Sequence, residues 1–373
     1  MALDRIHRRI LTLAAAALGL ASCSPSGQND AMRTPYHYGY YVFLGRGDFP
    51  PEIPLTPEWT STWDLPEWNR RIDRLADLGA NTLFVYLLGF HLPYASRAFP
   101  GCVEEGHPNV KMDFFQGVLD HCRERRIEVV AVFTTTGHAR SYVHAHPDLA
   151  IRTREGQPDL KQEILCHHRE GGRAYPAENI RECLTRYRGF SGVILHPPEF
   201  LNPCFCGACQ EEYLKETGRD LFKATDEEAK GFFMRSYMRF QKTALEPEIH
   251  SLAPKARQLT FTIPWVFAHH FEEVAKEIDP RTVIVDWDYE LTPKAVADLP
   301  ARLERHRKFG HELWFMPTSG YIFSGKKGAQ EQADVVLSQI RAARGSGVKD
   351  IVYFMGPIWW PDVERTSWRL HGK

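Results

Sequence analysis

Three groups of residues in this chain have the types and spacing to do chemistry. The first is Glu199, which follows an apolar run, Gly192 to Leu195, that reads as a buried strand. The intervening Pro197-Pro198 pair cannot continue a ladder and holds the next residue extended just past the strand end. The second is Cys204-x-Cys206-x-x-Cys209, three thiols within six positions that begin five residues after Glu199. The third is the exit of a later strand, Asp286-Trp287-Asp288-Tyr289-Glu290. There, period-two alternation puts Asp286, Asp288 and Glu290 on one face and Trp287 and Tyr289 on the other. Carboxylates on a strand are costly unless paired or facing a wet cavity. Two carboxylates across a cleft are what glycosidic bond cleavage requires, one donating a proton and one acting as base or nucleophile. Glu199 as acid and Asp288 as its partner are therefore expected to be the catalytic pair. The alternative for the strand acids is pairing with Arg or Lys near the rim.

The cysteines point to a second kind of chemistry. Of eight, Cys23 belongs to the N-terminal segment, and the other seven, at 102, 122, 166, 183, 204, 206 and 209, are an odd set that cannot all be disulfides. Three thiolates and a fourth ligand make a tetrahedral structural zinc site. Cys166 is the expected fourth ligand to Cys204, Cys206 and Cys209, with Cys102 and His167 as alternatives. A disulfide with leftover thiols is the competing arrangement. Cys122 and Cys183 sit in helical patterns and read as core thiols.

Aromatic residues make up 12% of the chain, with nine Trp and fourteen Tyr, enough to supply stacking platforms for a sugar as well as core. Several stand at strand exits: Trp265, Trp287, Tyr289, Tyr321, Trp359 and Trp360. With His138, His196, Asp286 and Glu290 they form the expected substrate-binding set, although each Trp or His taken singly serves packing or framework hydrogen bonds equally well. No G-x-S-x-G elbow or H-E-x-x-H occurs, and the adjacent pairs His167-His168 and His269-His270 lack the i, i+4 spacing of a helical metal site. A catalytic metal and an organic cofactor are not expected. Balanced charge, 46 basic against 47 acidic residues, gives no footprint for nucleic acid.

These residues need a frame. Arg5, His7, Arg8 and Arg9, the apolar run Ile10 to Ala21 and then Leu20-Ala21-Ser22-Cys23 read as residues 1–23 of a lipoprotein export signal with Cys23 acylated. Residues 24–35 read as a polar tether, and Ser24 after the cysteine favours the outer membrane, so a lipid anchor to a membrane is expected. From 36 to 373 apolar runs alternate with amphipathic stretches. Strands are expected at Tyr38–Leu44, Thr82–Leu88, Glu128–Thr134, Gly192–Leu195, Gln258–Ile263, Thr282–Asp288, Glu312–Met316 and Asp350–Met355. Helices are expected at Pro66–Leu78, Phe114–Arg125, Ala177–Tyr187, Cys209–Ser251 with a break near Gly218, Phe271–Ile278, Pro293–Phe309 and Ala329–Gly345. Eight near-continuous apolar strands, each but the last followed by a helix, predict a single α/β domain, a (β/α)8 TIM barrel whose eighth helix is truncated or missing. A doubly wound open sheet is the alternative, but no glycine-rich phosphate loop follows any strand.

Within that frame, Thr136-Gly137-His138 leading to His146-Pro147-Asp148-Leu149-Ala150 resembles the Gly-His and His-Pro-Glu stretch of family 20 hexosaminidase-type glycoside hydrolases. The Cys204-x-Cys206-x-x-Cys209 knuckle resembles the zinc loop of family 42 β-galactosidases. The resemblance covers about residues 127 to 215 and implies a glycoside hydrolase-like barrel with Glu199 in the general acid position. Family 20 places an Asp directly before that Glu, where this chain has Pro198; family 42 places a nucleophilic Glu after strand seven, where it has Thr318 and Ser319. The second carboxylate is then expected from strand six. The function expected is a glycosidase acting on a carbohydrate substrate. A carbohydrate-binding envelope lipoprotein without turnover is the alternative, and a purely structural envelope protein a third.

Overall fold

The computed structural model describes residues 36–47, 49, 52–199, 202–264, 270–290, 292–318 and 329–359. Contacts divide the chain into Met1–Tyr36 and His37–Lys373, and the second unit contains every strand and helix named below. The expected signal, Cys23, tether and chain beyond 359 lie outside the described residues.

Strands β1 (Tyr38–Phe43), β2 (Thr82–Leu88), β3 (Glu128–Thr134), β4 (Gly192–His196), β5 (Arg257–Thr262), β6 (Val283–Asp288), β7 (Leu313–Pro317) and β8 (Asp350–Gly356) pair in sequence order. All pairings are parallel, and β8 returns to β1, closing the barrel. Both faces of each strand are covered, by helices outside and by side chains in the lumen, which is why these strands read as unbroken apolar runs. The lumen is packed with rings: Tyr41 stacks on Phe261 with centroids 5.8 Å apart and touches Trp287 at 5.7 Å and Phe354 at 5.1 Å. Below the mouth, then, this barrel is solid core.

Helix starts follow their caps. Asp64 accepts from the Glu67 amide at 3.0 Å to open Leu65–Asp77, and Thr225 with Glu228 forms a reciprocal capping box for Asp226–Phe240. Thr292 accepts from the Ala295 amide at 3.1 Å, with Pro293 beginning Pro293–Arg307. Two helical expectations are revised. Glu170–Arg186 begins seven residues before the expected Ala177, carrying Pro176 inside it; tertiary packing outweighs the hydrogen bond the proline cannot donate. The long region after β4 divides into Gly207–Thr217, stopped at Gly218 in the left-handed conformation (φ 70°), and Asp226–Phe240, which runs through a π-helical turn into Glu246–Leu252.

At the end of the barrel opposite the strand exits, His37 closes the β1–β8 seam. Its Nδ1 lies 2.8 Å from Asp350 Oδ1, its Nε2 3.5 Å from Glu128 Oε2, and its ring stacks on Trp314 at 4.2 Å. Burial pushes the imidazole pKa down, but the bonds to Asp350 and Glu128 outweigh it and raise the net value above 6.5. Stabilisation by the protonated ring is therefore complete below the ordinary imidazole range and is lost as pH rises through the higher folded value. His37→Gln is expected to cost about 1 kcal/mol more at about pH 5.5 than at about pH 9 in urea unfolding. Equal costs at both would show that the ring is not charged in the fold.

Candidate active site and cysteine cluster

The register Thr134↔His196 brings the exits of β3 and β4 to the same level. A Cβ on Gly137 would sit 3.0 Å from Pro198 Cα, so glycine lets the two exits approach closely. His138 then takes a positive φ of 51°, a strained conformation for a histidine. The result is a cluster at the strand exits. His196 Nε2 lies 3.3 Å and His138 Nε2 3.8 Å from Glu199 Oε1, and Tyr289 donates its hydroxyl to the same oxygen at 2.9 Å. The side chains of His138 and Glu199 are each 12% exposed, so the cluster is sunken but not sealed. His196 Nδ1 is 2.7 Å from the Pro197 carbonyl, which can only accept, so that nitrogen carries a hydrogen. Burial pushes the Glu199 carboxyl up, yet the bond from His196, the influence of His138 and the Tyr289 hydroxyl together bring it below the ordinary range. Glu199 rests as a carboxylate.

Asp288 does not face Glu199. Asp286 and Asp288 point away from the lumen, toward the helix Pro293–Arg307, where Arg302 donates to both oxygens of Asp286 (2.8 to 3.1 Å) and to Asp288 Oδ2 at 2.7 Å. Both acids are almost wholly buried. Burial still pushes the Asp288 carboxyl upward despite the guanidinium. His306, pushed down to about 3 by burial and by Arg302, lies 3.6 Å from Asp286 as a neutral neighbour, so the contact is not an ion pair. The expectation of a catalytic Asp288 is corrected for this reason: the acid face of β6 looks outward, and its charges are met by Arg302. Glu290 is exposed, its amide bonded to Asp288 and its carbonyl accepting from Gln339.

The opposite face of β6 makes the site. Trp287 lies among Tyr289 (4.4 Å), Phe354 (4.8 Å), Phe261 (4.9 Å) and His196 (5.2 Å), so its faces are covered by protein rings and it floors the cluster. Trp359 is buried against Trp63 and beneath the Arg71 guanidinium, so it too offers no free face. Trp265, Tyr321 and Trp360 lie outside the described residues. The alternative weighed for the strand acids, pairing with Arg or Lys, is the arrangement found, with Arg302 as the partner, whereas sequence reasoning missed that Tyr289 binds Glu199. Arg302 did leave a signal, since it falls beside Leu299, Leu303 and His306 on the buried stripe of its helix.

Cys166, Cys204, Cys206 and Cys209 form a buried cluster in which every sulfur lies within 4.8 Å of every other. Cys166 Sγ is 3.5 Å from Cys209 Sγ and 3.7 Å from Cys206 Sγ. Four thiolates at about 2.3 Å around a tetrahedral ion would stand about 3.8 Å apart, so this cluster can bind a metal. The Arg152 amide donates to Cys204 Sγ at 3.3 Å, and Cys206 stands in the position just before Gly207–Thr217. Of the alternative ligands, His167 places Nε2 on Ser236 at 2.8 Å, and Cys102 does not join the sulfur cluster. All seven cysteines in the described residues are free thiols. The cluster anchors a second, smaller core with Ile151, Ile164, Phe205, Tyr213 and Phe232, separate from that of the barrel.

Closed sheet and strand-exit cluster place the chain among single-domain (β/α)8 barrels. No family model and no curated protein matches it. Solved structures with the same fold include a β-galactosidase from the haloarchaeon Halorubrum lacusprofundi (12% identity, 88% of this chain and 53% of that one, TM-score 0.59). Others are a β-galactosidase from Rahnella sp. R3 (14%, 87% and 51%, TM-score 0.60) and a family 20 β-N-acetylhexosaminidase from Streptomyces coelicolor A3(2) (13%, 88% and 61%, TM-score 0.54). The chain spans between about half and three-fifths of their length. At this level of identity the likeness is one of fold, a (β/α)8 barrel.

Proposed function

We propose that this barrel acts on glycans as a glycoside hydrolase, with Glu199 as its reacting carboxylate. The observation that carries the reading is the placement of Glu199 at the strand exits, where barrel enzymes build their sites, held by Tyr289 and flanked by His138 and His196. An ionised Glu199 is suited to act as base or nucleophile in the resting site, and as acid once it has taken up a proton. His138, His196 and Tyr289 would position the sugar and the carboxylate. One observation favours the rival, a carbohydrate-binding protein without turnover: the carboxylate expected opposite Glu199 is bound to Arg302. Aryl glycosides and oligosaccharides tested on wild type and Glu199→Gln separate the two. Turnover is expected to fall by about 10²- to 10⁴-fold in the variant while oligosaccharide binding persists. Binding with no turnover by the wild type would establish the rival, and neither binding nor turnover would overturn both.

The four-cysteine cluster is proposed to hold a structural zinc ion: four thiolates leave no open position for substrate, and the sulfur spacing suits a tetrahedral ion. Residues 1–23 are proposed as an export signal acylated at Cys23, with 24–35 a tether placing the barrel at the outer membrane. Cys23→Ser is expected to move the protein from the membrane to the soluble fraction, and unchanged sedimentation with membranes would count against the anchor.

A further inference from the structure

We infer that His138, His196 and Glu199 form a second metal site, one that takes a divalent transition-metal ion at the barrel mouth. This goes beyond the glycosidase reading and does not depend on it, since an ion can bind whether or not a glycan is cleaved. One ligand atom from each of the three residues lies within 4.8 Å of the other two. Bonds of about 2.1 Å to imidazole nitrogen and carboxylate oxygen put tetrahedral neighbours about 3.4 Å apart. The observed 3.3 Å for His196 meets that spacing, and the 3.8 Å for His138 asks for a few tenths of an ångström.

The hydrogen positions argue the same way. With Nδ1 of His196 committed as donor to the Pro197 carbonyl, its Nε2 can face the carboxylate oxygen favourably only across a cation, either an added proton, which makes the bond described above, or a metal ion in its place. The outer contacts are those that orient metal ligands: a backbone carbonyl fixes the tautomer of His196, and the Tyr289 hydroxyl fixes the rotamer of Glu199. Gly137 packed on Pro198 sets His138 in its strained conformation beside them.

Two imidazoles and one carboxylate suit Zn²⁺, Mn²⁺, Fe²⁺ or Co²⁺ better than Mg²⁺ or Ca²⁺, which prefer all-oxygen shells. Among the described residues three protein ligands do not complete a tetrahedral shell. Water or the hydroxyls of a polyol ligand would complete it, which distinguishes this site from the closed set of four thiolates.

Co²⁺ titration of the full chain after chelator treatment tests the assignment, with a spectroscopic readout independent of glycan turnover. Two equivalents are expected: one with intense thiolate-to-metal charge-transfer bands, and one adding only the weak visible bands of nitrogen and oxygen ligation. Glu199→Gln and His196→Gln should each keep the first and bind the second at least about tenfold more weakly, and Tyr289→Phe should weaken the second about tenfold without abolishing it. Circular dichroism confirms that each variant is folded, and His138→Gln replaces any that is not. A single equivalent with thiolate bands, or a second whose affinity is unchanged in Glu199→Gln and His196→Gln, would show that only a proton bridges the cluster. Glycosidase activity measured separately in chelator fails or survives independently of that result.

Discussion

Chains carrying Cys206→Ser are expected to purify with one fewer bound zinc ion per chain than the wild type, and to melt roughly 10 °C or more below it. Thiolate sites of this kind contribute on the order of 10 kcal/mol of apparent binding free energy, comparable with the whole stability of an ordinary domain. Cys206 is central: its sulfur lies 3.7 Å from that of Cys166, and its neighbouring thiols pull its own pKa below the usual thiol range, Cys166 most of all. The cluster joins the loop after β3, through Cys166, to the start of Gly207–Thr217, at the centre of the smaller core. Loss should therefore begin in that core and reach β4 through the loop that also carries Glu199. Metal analysis and calorimetry check both parts. A Cys206→Ser chain melting like the wild type would mean that the four sulfurs pack as plain thiols.

Arg302→Met is expected to destabilise the fold by about 3–5 kcal/mol near neutral pH, measured by urea unfolding. It would leave Asp286 and Asp288, 0% and 1% exposed, as two buried carboxylates without their counter-ion. Burial already holds the Asp288 carboxyl above its ordinary value with Arg302 in place, and removing the guanidinium pushes it further. A carboxyl raised in the fold destabilises above its folded pKa and is relieved as it protonates, so the cost should shrink as pH falls. Replacing all three residues by apolar ones of similar volume should restore much of the loss, because the penalty lies in unpaired charge rather than in packing. A single variant as stable as the wild type would mean that water reaches the two acids. The pair also bears on the site, for with Asp286 and Asp288 drawn outward, Trp287 and Tyr289 point into the barrel, and Tyr289 meets Glu199.

The order of eight strands, their bounds to within about a residue, and closure into a barrel were legible in the sequence, because strands covered on both faces must be apolar throughout and the intervening helices show their own period. The same is true of Glu199 beyond β4, where Pro197 and Pro198 end the ladder, and of the gathering of Cys204, Cys206 and Cys209 by short spacing alone. Alternation along β6 correctly separated its acids from its aromatics. It could not say which face looks inward, since both arrangements have the same period and differ only in what the neighbouring helix offers. Arg302, fourteen residues beyond Asp288, decides that question: a guanidinium on a buried helical stripe must meet its charge, and the nearest acids turn to it. The Trp287 and Trp359 rings, read as open platforms, are enclosed by neighbours from other strands and from Leu65–Asp77, contacts set by closure of the barrel. The joining of His138, His196 and Tyr289 around Glu199 likewise comes from three strand exits converging. Local pattern fixes which residues leave a strand and where; which of them meet across the mouth depends on register and on buried charge, and these exist only once the ring is closed.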